Sequence, residues 1–274
     1  NLGYEKFYDK SAYKIDQEVG FGLSDESFIK QSVEYIKDIN SKHKKFYGTL
    51  ITLSNHTPFD YNELFGDFDV SMEKDGKTYP YMKDTKLGNY FVSAHYADKQ
   101  LGLLVSELDN AGILDDTVIM IYGDHDAKIS KKEYKKFYNY DFETGEQYDK
   151  NNEKYVDVDY YNYELNRKVP FVIWTKDSKG SKTLNKKISK VMGMYDAMPT
   201  LANMLGFKYK YALGHDIFNI DNNIVVFPNG NWVTDKMYYN AQTEEYLLLK
   251  DSIVNDDEIE KNKNYANMLL EVSD

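Results

Sequence analysis

The sequence predicts an α/β fold with a small antiparallel part at its C-terminal end, and three observations carry that expectation. A continuous apolar run, Phe46–Ser54 (FYGTLITLS), precedes the strongest helical period in the chain, and a second apolar run, Thr117–Tyr122 (TVIMIY), follows it. Unbroken apolar strands separated by a helix are the pattern of a parallel sheet covered by helices on both faces, because alternation is lost when neither face meets water. From about Tyr211 the segments become short and turn-rich, with Pro228-Asn229-Gly230 a hairpin signal. The expected division is residues 1–210 as the α/β body and residues 211–274 as a small antiparallel α+β subdomain.

Each element follows from local chemistry. Ser24 is a suitable N-cap for a helix from Asp25 to about Ile39, Asp25 and Glu26 suit its first turn, and Phe28, Val33, Ile36 and Ile39 form its apolar stripe. The polar stretch Tyr61–Leu87, with Asp75-Gly76 and Pro80, reads as a long loop. Tyr90, Ala94, Ala97, Leu101, Leu104 and Leu108 fall at spacings 4, 3, 4, 3 and 4, with Gly112 just beyond, and predict the next helix. Lys131–Arg167 is rich in Tyr, Asp and Asn and carries no sustained period. Val169–Thr175 (VPFVIWT) is an apolar strand in which Pro170 marks an edge position or a strand start. Tyr195, Met198, Leu201, Ala202 and Leu205 mark a helix ending at Gly206, and Ile259, Ala266, Leu269 and Leu270 mark a terminal one.

Composition excludes several classes. With 34 basic and 45 acidic residues among 274, the net charge is −11, and no basic stripe offers the clustered cations that nucleic acid requires. The runs Lys42–Lys45 and Lys131–Lys136 have acidic neighbours and read as solvated faces. The absence of cysteine excludes a disulfide framework, a zinc ribbon and a cysteine nucleophile within this stretch. At 42% hydrophobic residues and 26 tyrosines the chain has ample material for a core. No apolar run approaches the roughly 18 residues of a membrane span, and residues 1–20 lack a signal peptide's pattern. The first residue is Asn rather than Met, so a longer protein is expected and the missing targeting signals carry little weight.

In open parallel sheets, reactive groups collect in loops at the carboxyl ends of strands. Two of the five histidines stand at such places: Asn55-His56-Thr57-Pro58 after the run ending at Ser54, and Gly123-Asp124-His125 after the run ending at Tyr122. An adjacent Asp and His can turn toward one cation, and a carboxylate oxygen with an imidazole nitrogen suits Mn²⁺ or Zn²⁺ better than Ca²⁺. A helix cap beside a solvent-exposed histidine is the competing reading of Asp124 and His125. His56 has two readings as well, a donor to an anionic oxygen beside the metal or a plain turn histidine. His95 reads as helix packing or surface, His43 as exposed, and His215 as part of a structural turn. No Gly-x-Ser-x-Gly elbow and no phosphate-cradling glycine loop is present.

Taken together, these residues resemble a known family. Leu2-Gly3-Tyr4, the stretch Gly20–Glu26, Ile51–Phe59 (ITLSNHTPF), Tyr90–Asp98 (YFVSAHYAD), Val118–His125 (VIMIYGDH), Val169–Phe171, Asp196–Thr200, Leu213–Phe218 and Phe227–Gly230 are collinear with lipoteichoic acid synthases. These phosphoglycerol transferases form a sulfatase-like branch of the alkaline phosphatase superfamily. The resemblance implies an alkaline-phosphatase/sulfatase-like sheet covered by helices on both faces, with residues 1–210 the C-terminal portion of that catalytic domain.

It also implies a metal-dependent enzyme that transfers glycerol phosphate from phosphatidylglycerol, or another anionic phospholipid, through a covalent threonine intermediate. Asp124 and His125 match the family's two later metal ligands, with Mn²⁺ expected and Zn²⁺ or Mg²⁺ as alternatives, and His56 matches its substrate-phosphate histidine. The family's first metal-binding Glu, its nucleophilic Thr and a substrate Arg correspond to sequence preceding Asn1, so residues 1–274 alone are expected to show no turnover. The sequence departs from the family pattern at Asp126, where Gly or an uncharged residue is more usual; this adds a charge beside the metal pair. The implied location is the extracellular face of the membrane of a Gram-positive-type bacterium, reached through an upstream anchor, because a charge of −11 weakens attraction to anionic lipid. The alternatives are a sulfatase or phosphoethanolamine transferase of the same superfamily, separated by the upstream nucleophile, and a non-catalytic binding module on this fold.

Overall fold

The computed structural model describes residues 3–60, 62–176, 186–208, 210–249 and 251–273, so Asn1, Leu2 and Tyr61 of the segments above lie outside it. Two compact units are present, Asn1–Lys182 and Thr183–Asp274. That boundary lies upstream of the composition shift at Tyr211, because the helix beginning at Ala197 shares a unit with the strands that follow it.

The first unit opens with a minimal hairpin, β1 (Glu18–Val19) and β2 (Gly22–Leu23), turned at Gly20 with φ of +59°. It leads into α1 (Asp25–Lys42), whose N-cap Ser24 accepts from the Ser27 N–H. A second hairpin, β3 (Met72–Lys74) and β4 (Lys77–Tyr79), lies inside the stretch expected to be loop. Asp75 and Gly76 both adopt positive φ, which is the requirement of a two-residue hairpin turn whose twist matches its strands. Then comes α2 (Lys86–Asn110), capped by Thr85. Ile29 and Val33 of α1 pack against Leu104 and Leu108 of α2, with Ile113, Leu114 and the half-buried Ile119 closing the cluster.

Ile119 belongs to β5 (Val118–Tyr122), which pairs with β6 (Phe171–Thr175) from Val118 opposite Thr175 to Tyr122 opposite Phe171. The pair is antiparallel, which corrects the expectation of parallel neighbours. An apolar run says nothing of direction, and no residue of either strand is fully buried; α3 (Lys131–Tyr138) and α4 (Tyr160–Leu165) carry the chain out and back to the same end of the strand. The run at 46–54 also departs from expectation. It joins no ladder among the described residues, and Phe46, Tyr47, Ile51 and Leu53 are exposed. Its last two N–H groups are taken by a side chain instead of a strand: Leu53 and Ser54 both donate to Asp25 Oδ1 at 3.0 Å.

The second unit contains α5 (Ala197–Leu205), ended by Gly206 in the left-handed conformation, as its sequence predicts. It continues into a four-stranded antiparallel sheet in the order β10-β9-β8-β7, from β7 (Ile224–Val226), β8 (Trp232–Thr234), β9 (Met237–Asn240) and β10 (Glu245–Leu248). The Pro228-Asn229-Gly230 signal joins β7 to β8, with Phe227 N–H donating to Asn231 O. Helix α6 (Asp256–Ser273) lays Ala266 and Leu269 on the cluster of Trp232, Met237 and Tyr239.

Candidate functional site

The loop that carries His56 is fixed from two sides. Asp25, the first residue of α1, is only 1% exposed. It accepts the Leu53 and Ser54 N–H groups while its own N–H donates to Ser54 Oγ at 2.8 Å. From α2, Ser93 Oγ donates to Asn55 Oδ1 at 2.6 Å. Neither residue is legible as part of a site from sequence, since Asp25 reads as an ordinary first-turn acid. Between these anchors the half-buried His56 ring meets Phe21 edge-on, with centroids 5.2 Å apart.

The second loop leaves the end of β5. Gly123 has no room for a side chain, because a Cβ would stand 2.9 Å from Val169 Cβ, and its N–H donates to Pro170 O. That close approach, rather than a positive φ, is why glycine stands there. Asp124 and His125 follow, both exposed, with His125 Nε2 3.7 Å from Asp124 Oδ1. The His125 ring meets the His56 ring at 90°, with centroids 5.7 Å apart. The structure therefore brings His56 and His125 together from loops far apart in sequence.

The two rings share a hydrogen-bonding pattern. His56 Nδ1 lies 2.7 Å from Thr57 O, and His125 Nδ1 lies 2.7 Å from Asp126 O. A carbonyl oxygen only accepts, so each Nδ1 carries a proton, and Nε2 is the nitrogen left to act in either ring. Asp124 oxygen and His125 Nε2 are one hard and one borderline donor, the chemistry that Mn²⁺ or Zn²⁺ accepts. Among the described residues no group of three His, Cys, Asp or Glu side chains assembles that could hold a metal ion, so the pair does not by itself make a complete coordination shell.

Behind the pair, Asp126 turns inward. Its Oδ1 accepts from Arg167 Nε at 3.4 Å and its Oδ2 from the Lys128 N–H at 3.2 Å. Arg167 Nη1 also donates to Glu164 Oε1 at 2.6 Å. Partial burial works against the guanidinium charge, but Glu164 and then Asp126 outweigh it and hold the Arg167 pKa above the ordinary value. Below, burial pushes the Tyr134 phenol up to about 12, helped by Tyr90, Tyr163, Tyr138 and Asp126.

The remaining histidines lie apart from these loops in role. His95 is exposed on α2 and stacks on Phe68 at 4.4 Å, and His43 caps the end of α1. In the second unit, His215 Nδ1 is 3.2 Å from Asn223 Oδ1 and its Nε2 is 3.3 Å from the Tyr265 hydroxyl.

Residues 1–207 match the family model described as Sulfatase, and the chain belongs to that family. Within it, the chain is similar to lipoteichoic acid synthases along its whole length. It is 32% identical to lipoteichoic acid synthase 1 of Bacillus subtilis over 93% of this chain and 37% of that protein. It is 31% identical to the Staphylococcus saprophyticus lipoteichoic acid synthase over 100% of this chain and 38% of that one. The crystal structure of the lipoteichoic acid synthase LtaP from Listeria monocytogenes superposes with a TM-score of 0.75 at 29% identity, covering 99% of this chain and 63% of that one. A Vibrio parahaemolyticus protein of the alkaline phosphatase superfamily shares the fold at a TM-score of 0.60 and 19% identity. The chain thus spans little more than a third of the curated relatives it matches. No described helix is long and apolar enough to cross a membrane.

Proposed function

We propose that this chain is the part of a metal-dependent phosphoglycerol transferase that supplies two metal ligands and one phosphate contact. The observation that carries the reading is the meeting of the His56 ring with His125 beside Asp124. Asp124 and His125 Nε2 would hold the cation, with Mn²⁺ the first candidate. When bound, such a cation neutralises phosphate charge and favours the ionised form of an attacking hydroxyl. In this reading the hydroxyl is that of a threonine outside these 274 residues, and the donor is phosphatidylglycerol or a related anionic lipid.

His56 does its part through Nε2, because Nδ1 is committed to Thr57 O. With a proton on Nε2 the ring would donate to a non-bridging phosphate oxygen, where the added negative charge of a displacement makes that bond strongest. The edge of Phe21 and the anchors on Asn55 and Ser54 restrict the ring, so little orientation is left to fix when substrate arrives. Contact with the membrane surface is assigned to an anchor elsewhere in the longer protein, and the working location to the outer face of the membrane.

The test uses the full-length protein with Mn²⁺ and vesicles containing phosphatidylglycerol, following diacylglycerol release. Asp124→Asn and His125→Ala are each expected to lower turnover by about 100-fold or more, and His56→Ala by about 10- to 100-fold. Undiminished turnover in Asp124→Asn with His125→Ala would overturn the reading. Turnover of a sulfate ester with the phospholipid inert would instead make the protein a sulfatase in activity.

A further inference from the structure

We propose that Arg167 is a positioning residue for His125, acting through Asp126. The inference rests on the metal-site reading of Asp124 and His125 and adds a residue that the family resemblance does not assign.

The loop Gly123–Asp126 is fastened at both ends to one stretch of chain, the end of α4 and the start of β6. At the first end, Gly123 is pressed on Val169 and bonded to Pro170 O. At the second end, Arg167 reaches across to the Asp126 carboxylate. Asp126 in turn offers its backbone carbonyl to His125 Nδ1, and that bond selects the tautomer whose Nε2 lone pair faces outward. Holding the Asp126 side chain therefore holds the carbonyl that orients His125.

Arginine suits this task because its donors diverge. Nε goes to Asp126 and Nη1 to Glu164, whose side chain is 6% exposed and so gives a firm base. A lysine has one compact ammonium and would serve one carboxylate at a time. Arg167 also offsets the charge of Asp126. Without it, the uncompensated Asp126 carboxylate would attract any divalent cation more strongly while the ring that coordinates it turned freely. Outer partners of metal-ligating histidines change affinity by about 10- to 100-fold. The half-buried Asp126 carboxylate still reaches water and is partly screened by it, so its charge contributes less than that, and loss of orientation dominates.

Two measurements on the full-length protein decide the matter. In the metal-free protein, ¹⁵N shifts of the His125 ring report its tautomer directly. Arg167→Gln is expected to move them from the pure Nδ1–H form toward a mixture, and Arg167→Lys to do the same despite keeping the charge. With Mn²⁺ alone as the probe, titration calorimetry is expected to show about 10-fold weaker binding in both variants. In an Asp126→Asn background the same Arg167→Gln change is expected to alter affinity less than about two-fold, since the path through Asp126 is already broken. Unchanged His125 shifts in Arg167→Gln overturn the proposal, and so does an equal loss of affinity with and without Asp126→Asn. A wild-type protein that binds no Mn²⁺ would sink the metal-site reading, while the metal-free ring shifts still decide the role of Arg167.

Discussion

Each unit uses a buried aspartate at the start of a helix to hold a loop that bears a histidine, and the two histidines come out opposite. In the first, Asp25 at the start of α1 binds the Leu53 and Ser54 N–H groups, and His56 emerges two residues later with its Nε2 free of protein partners among the described residues. In the second, Asp196 ahead of α5 accepts from the N–H groups of Gly193 and His215 and from Asn223 Nδ2. There His215 has both ring nitrogens engaged. Asn223 donates Nδ2–H to Asp196, and this points Asn223 Oδ1 at His215 Nδ1 and leaves His215 Nε2 to accept from the Tyr265 hydroxyl. The anchoring device is the same, and what the second ring nitrogen meets decides whether the histidine serves structure or chemistry.

The sharpest way to break the parallel is to convert each acid to its amide. Asp196 uses both oxygens, Oδ1 for His215 and Oδ2 for Gly193 and Asn223, so Asp196→Asn must set an NH₂ group against a buried donor. Its expected cost is about 3 kcal/mol of unfolding free energy. Asp25 serves both backbone donors through Oδ1 alone, so Asp25→Asn can keep that oxygen in place at about 1 kcal/mol. Urea unfolding of the two variants measures the difference, and equal costs would mean that the anchors are not organised as described.

A smaller effect is expected where the histidines diverge. Tyr265→Phe removes the donor to His215 Nε2 and should cost about 1 kcal/mol. It should leave the first unit's His56 ring shifts unmoved, which ¹⁵N spectra of both rings would show.

A further effect is alkaline. Burial pushes Tyr195 up to about 12 in the second unit, as it does Tyr134 in the first, against an ordinary value of 10.0. As pH rises past the ordinary value the unfolded chain loses these protons first. The stabilisation present below about pH 10 is therefore lost between there and about pH 12. Phenolate absorbance on titration, compared with Tyr134→Phe and Tyr195→Phe, assigns the step to each unit.

Local signals were the most legible part of the sequence. Ser24, the α2 spacing, Gly206 and Pro228-Asn229-Gly230 all mark element ends that form where expected, because caps and turns are decided by a few adjacent residues. Pairing was less legible. FYGTLITLS has strand composition, yet its terminal N–H groups belong to Asp25, and propensity for a pleated surface does not supply a neighbour. The hairpin at Asp75-Gly76 was hidden for the opposite reason: polar, exposed strands leave no alternation, so only the turn dipeptide announces them. At the candidate site, His56, Asp124 and His125 were visible as residues after apolar runs, whereas Asp25, Ser93 and Arg167 act across long stretches of chain that no local pattern encodes.

The double duty of Asp25 ties two kinds of motion together. It is at once the opening residue of α1 and the acceptor for the strip of chain leading to His56. That strip cannot peel away without exposing a buried carboxyl group and loosening the first turn of an eighteen-residue helix. The backbone amides of Leu53 and Ser54, although they lie in an irregular segment, are therefore expected to exchange with solvent no faster than the first turn of the helix that holds them.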